Sequence, residues 1–112
     1  MRIVVNGNEA GTKEAGCALC GSTWGDYYEE IDGQKLFFCC DVCALEFKNM
    51  ISEVKKRTGW DKIDELVISG NYYRGRNCIA RHEGKEYKFY VKFGDEGEIQ
   101  TFLDRNLVEL IP

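Results

Sequence analysis

Five of the six cysteines lie between residues 17 and 43, in Cys17-Ala18-Leu19-Cys20-Gly21 and Phe38-Cys39-Cys40-Asp41-Val42-Cys43. Two cysteines separated by two residues can both reach one ion about 2.3 Å away, and a following glycine permits the tight turn this requires. The first group therefore has the form of a zinc knuckle. In the second, Cys40 and Cys43 are three apart and Cys39 and Cys43 four apart, so on a helix either pair shares a face. Adjacent side chains of an extended strand point to opposite sides, which argues against Cys39 and Cys40 holding the same ion together. Five thiols thus compete for four places, and spacing leaves Cys39 and Cys40 as alternatives.

Other chemistries fit less well. Rubredoxin-type iron is the nearest rival, but that site uses two knuckles, each normally followed by glycine. Here the second pair runs into Ala44-Leu45-Glu46-Phe47, a helical sequence. Disulfides are the plain alternative, and they are rare where thiols stay reduced. Enzymatic activity is not expected: His82 is the only histidine, the carboxylates are scattered, and no phosphate-binding glycine loop is present. A four-cysteine site also has no open position for water or substrate, so a mainly structural metal is expected. Cys78, alone in a strand-like stretch, reads as core.

The elements that must position these residues are legible. Met1 to Val5 reads as a strand closed by Asn6-Gly7, followed by a polar loop over residues 8 to 16. Tyr27 to Ile31 and Gln34 to Phe38 flank Asp32-Gly33, the strongest hairpin signal in the chain. A helix is predicted from Asp41 to Thr58, with Cys43, Phe47, Met50, Ile51 and Val54 on one apolar stripe. Asp41 at its start, Lys55-Lys56-Arg57 in its last turn and Gly59 beyond suit the helix dipole and a C-terminal stop. Trp60, Ile63 and Val67 suggest a second short helix over Trp60 to Ile68. Lys85 to Phe93 alternates, with Tyr87, Phe89, Val91 and Phe93 on one face, and so predicts a half-buried strand. Cys78 to His82 and Glu98 to Leu103 are its expected antiparallel neighbours.

Knuckle, hairpin, then ligands at the start of a helix is the treble-clef order. The segment Cys17 to Phe47 resembles the TRASH/YHS superfamily of treble-clef zinc domains: a Cys-x-x-Cys knuckle, an aromatic, Cys-x-x-x-Cys, and a Phe four residues on, here Phe38, Cys39, Cys43 and Phe47. That resemblance implies zinc ligation by Cys17, Cys20, Cys39 and Cys43, with Cys40 a spare thiol, and an association with the trafficking or sensing of metals. The whole chain also resembles a family of small archaeal zinc-binding proteins of the Thermoplasma type. Beyond residue 47 the superfamily motif describes nothing, so its implications extend to the module alone.

The fold class expected is α+β: a treble-clef zinc module over residues 1–58, packed as one unit with a β-rich antiparallel segment over 59–112. A chain of 112 residues buries a modest core, to which a metal adds noticeably. The N-terminal apolar stretch is too short for a secretory signal and no run reaches membrane-spanning length, so a cytoplasmic protein without membrane partners is expected. The formal charge is −4, and four thiolates with one dication bring it to about −6. That balance disfavours general nucleic-acid binding. Residues 55 to 92 nevertheless hold ten Lys/Arg against five Asp/Glu, and Tyr72-Tyr73-Arg74-Gly75-Arg76 mixes rings with guanidinium groups. An RNA- or DNA-associated zinc protein is therefore the alternative. The favoured expectation is a zinc-binding interaction or metal-handling module with a protein partner.

Overall fold

A computed structural model describes residues 1–71 and 74–105. Nine elements follow one another: β1 (Arg2–Val5), β2 (Asn8–Ala10), β3 (Tyr27–Ile31), β4 (Gln34–Phe38), α1 (Asp41–Thr58), β5 (Glu65–Asn71), β6 (Gly75–His82), β7 (Lys85–Phe93) and β8 (Ile99–Asp104). The class is α+β, with one helix and mostly sheet among the described residues.

The hairpin β3–β4 and the helix occupy the bounds their local signals predict. Asp32 and Gly33 both take positive φ, 53° and 77°, as a two-residue turn matching strand twist requires. All five residues of the predicted apolar stripe of α1 are buried, Phe47, Met50 and Val54 completely. Gly59, at φ 79°, ends the helix by donating its N–H to the Lys55 carbonyl.

Two expectations are corrected by the sheet. The first concerns Trp60 to Ile68, where the helical spacing of Trp60, Ile63 and Val67 is overridden by a period of two. Leu66 and Ile68 are fully buried and Val67 faces the other way, so Glu65–Asn71 is a strand. The second concerns the sheet itself, which is neither confined to the C-terminal half nor wholly antiparallel. Its order is β2-β1-β5-β6-β7-β8, and β1 pairs with β5 in parallel, Ile3 opposite Leu66 and Val5 opposite Ile68. Parallel neighbours require a crossover, and here the crossover is the cysteine-bearing stretch with its hairpin and helix. The polar loop expected over residues 8 to 16 begins with the short edge strand β2.

Ile3, Val5, Leu66, Ile68, Ala80, Phe89 and Val91 share one core with the helix stripe, Leu19 of the knuckle and Phe38 of the hairpin. Phe38 meets Phe47 edge-on at 5.4 Å between ring centres, which fastens hairpin to helix. On the outer sheet face a row of ion pairs crosses five strands. Arg2 reaches Glu9 and Glu65 at 2.9 and 3.1 Å. Arg81 pairs with Glu65 and, at 2.7 Å, with Glu86. Among the described residues no helix is long and apolar enough to cross a membrane.

Candidate metal centre

The knuckle is held by backbone bonds before any metal is considered. The Cys17 N–H donates to Ser22 O at 2.8 Å, the Gly21 N–H to Cys17 O at 2.9 Å, and the Ala18 N–H to Phe37 O at 2.9 Å. The last of these ties the turn to β4, at whose end Cys39 follows. The Leu19 N–H points at Cys17 Sγ, 3.4 Å away, a donor that favours a charged sulfur. The loop after the knuckle passes so close that a Cβ on Gly25 would sit 2.0 Å from the Cys39 carbonyl oxygen. Only glycine fits where two backbones approach in this way.

Cys39 and Cys43 come from the other side, one just before α1 and one in its first turn. The sulfurs of Cys17, Cys20, Cys39 and Cys43 all lie within 4.8 Å of one another. Cys20 and Cys39 are 3.6 Å apart and Cys39 and Cys43 3.4 Å. Bonds of 2.3 Å at tetrahedral angles give a sulfur–sulfur edge of about 3.8 Å, so the group is of a size to hold one metal ion. Cys17, Cys39 and Cys43 are buried and Cys20 half-buried. All six cysteines are unbridged.

The electrostatics point the same way. Hydrogen bonds from Cys17, then Cys43, pull the Cys20 thiol well below its ordinary range, against the opposing effect of burial. Burial pushes the Cys39 thiol up, with the nearby Cys17 and Cys20 adding to the rise. The Cys43 proton is held by bonds to Cys17 and then Cys20, so that thiol is also pushed up strongly. Sulfurs this close cannot all ionise unless a positive charge sits among them. The N-terminus of α1 supplies part of one, because its amide dipoles point toward the cluster.

Cys40 lies outside the group of four but not on an opposite side. The chain bends at residues 39 and 40 rather than continuing β4, which leaves the Cys40 sulfur 3.9 Å from that of Cys39. The strand argument for separating the two thiols therefore does not apply here. Cys78 is remote in role: it lies in the sheet core, 3% exposed, with burial raising its thiol to about 12.

A cleft of about 470 Å³ borders the cluster, lined by Cys20, Cys39, Cys40 and Cys43 on one wall and by Asn6, Gly70, Asn71 and Arg76 on another. Trp24, 64% exposed, also lines it. Sequence reasoning missed the second wall. Arg76 reads as a solvated loop residue beside Arg74, yet it is the second residue of β6 and is 4% exposed. Tyr72 and Tyr73, the rings of the basic-aromatic motif, lie outside the described residues. His82 is also buried, packed on the Trp60 ring at 5.5 Å.

The architecture and the cluster together define an α+β protein with a four-cysteine group able to hold a metal ion. Residues 14–105 match the family model Ta0938, and the chain belongs to that family. No curated protein and no solved structure matches it.

Proposed function

We propose that this protein binds one zinc ion through Cys17, Cys20, Cys39 and Cys43, and that the metal mainly stabilises a module serving interaction or metal handling. The observation that carries the reading is the convergence of those four sulfurs within 4.8 Å from two separate segments. All-thiolate donors at this spacing suit a soft, four-coordinate ion, and zinc has no competing redox chemistry or geometric preference. Knuckle, hairpin and helix start follow one another in treble-clef order, which supports a likeness to the TRASH/YHS domains. The ion would cross-link knuckle and helix start, with an apparent contribution on the order of 10–16 kcal/mol in small modules of this kind. No catalytic step is assigned to the site.

A protein partner is favoured over nucleic acid. Trp24, Tyr27, Tyr28 and Leu45 are exposed large apolar side chains on the cysteine-bearing half. The basic stretch, by contrast, spends much of its charge internally. Lys55 bonds Asp32 at 2.7 Å, Arg57 bonds Glu53 at 2.7 Å, and Arg81 is shared by Glu65 and Glu86.

Elemental analysis of the reduced protein, with NMR spectra before and after chelation, tests the reading. One zinc per chain, with dispersion lost on its removal, is expected. A metal-free protein with an unchanged folded spectrum would overturn it.

A further inference from the structure

The four sulfurs are not equally protected. Cys17 sits at the back of the centre with no solvent exposure, while Cys20, Cys39 and Cys43 reach the cleft. Of the four, Cys20 alone is half-buried, so it is the one a dissolved reactant meets first. A thiolate open to solvent is where a peroxide oxidises a protein. The Cys39 sulfur lies 3.6 Å from that of Cys20, about 1.5 Å beyond the length of a sulfur–sulfur bond. Cys39 sits in the bend ahead of α1, whereas Cys43 belongs to the helix and Cys17 is pinned by its backbone bond to Ser22. Cys39 is therefore the partner that reaches Cys20 with least movement. Cys40 shares the bend but is a poor partner for Cys39. Adjacent α-carbons stand about 3.8 Å apart across a trans peptide, short of the usual disulfide span of about 4.4–6.8 Å.

We propose that Cys20 is an oxidation site: a hydroperoxide entering the cleft oxidises it, and Cys39 closes a Cys20–Cys39 disulfide that releases the metal. This rests on the metal-binding reading above. The Cys20 thiolate attacks one peroxide oxygen, the oxygen–oxygen bond breaks, and a sulfenic acid forms. The Cys39 thiolate then attacks the Cys20 sulfur, displacing hydroxide as the sulfur–sulfur bond forms. Two thiolates give up two electrons, and with hydrogen peroxide two protons from solvent complete two molecules of water. Cys17 and Cys43 alone remain as donors, too few to keep the ion from a competing chelator. The new bond joins the knuckle to the helix start, the same two segments the ion joins, 19 positions apart in the chain. The module thereby gives up its metal without losing its cross-link.

The test treats the zinc-loaded full chain with hydrogen peroxide in the presence of 4-(2-pyridylazo)resorcinol, which reports free zinc. Expected are one zinc released per chain, two of the six thiols lost, and a Cys20–Cys39 link in peptide mapping by mass spectrometry. The oxidised, metal-free chain should keep the NMR dispersion of the cysteine half, unlike the reduced chain after chelation. Dithiothreitol with added zinc should return it to the starting state. Cys40→Ser should give the same link and the same release. Zinc and thiols left intact overturn the proposal, as do a Cys17–Cys20 link, a bond through Cys40, or loss of dispersion on oxidation. A wild-type chain that holds no zinc before oxidation overturns the metal-binding reading and this proposal together.

Discussion

Cys78 is as buried as Cys17, Cys39 and Cys43 and unlike them in its neighbours. Cys78 sits on the inner face of β6 among apolar side chains, and burial pushes its thiol up to about 12 against an opposing pull from Arg76. In the cluster, bonds from Cys17 and then Cys43 pull the Cys20 thiol down, burial pushes Cys39 up, and bonds to Cys17 and then Cys20 push Cys43 up. Burial makes a cysteine a small hydrophobe, whereas convergence makes it a candidate ligand. The two regions also differ in what holds them. The sheet half rests on long ladders and packed aromatics, such as Phe89 on Phe102 at 5.0 Å. The cysteine half has a two-stranded hairpin, the knuckle turn and one helix, elements that depend on packing or a metal for stability.

The strongest way to break this contrast is Cys20→Ser. The variant is expected to lose the metal and unfold the cysteine half, a loss on the order of the 10–16 kcal/mol of apparent structural-zinc binding, read by metal analysis and NMR dispersion. Retained zinc and an unchanged fold would remove Cys20 from the ligand set. Phe47→Ala acts at the seam between the regions, since the ring is fully buried against Phe38. It should cost about 3–5 kcal/mol in urea denaturation of the metal-loaded protein. A second, separate transition appearing in that variant would show that the halves unfold independently.

Cys78→Ala is expected to do least, about 1 kcal/mol, with metal content unchanged. It also has a pH signature. The folded thiol titrates near 12, raised from about 9, so the folded state keeps a proton that the unfolded chain releases. Stability from this group is complete below pH 9 and is lost as pH rises toward 12. The variant should therefore flatten the alkaline limb of a stability-against-pH curve over that window. An equally steep limb would place its origin elsewhere.

Much of the cysteine half was legible because its signals are local. Asp32-Gly33 between two strand-like runs, the stripe from Cys43 to Val54, and Gly59 after three cationic residues each act within a few residues. The sheet half was legible where it alternates, in β7 with its two neighbours, and illegible where a partner decided. Trp60 to Ile68 carries a weak helical spacing that lost to pairing with β1, more than sixty residues earlier in the chain. Glu46, fully buried within α1, is a carboxylate that no reading of apolar positions would place inside.

From the amino-acid sequence alone came the donor types, the knuckle, the hairpin and helix that separate and orient the two cysteine groups, and the α+β class. These follow from side-chain chemistry and from periodicities that a short window contains. Tertiary structure alone decided that the cysteine stretch is a crossover between parallel strands. It also decided that Cys40 shares a cleft with Cys39, and that Arg76 is buried facing them. Each of these depends on segments far apart in the chain packing against one another, and the free energy that selects such contacts comes from burying a common core.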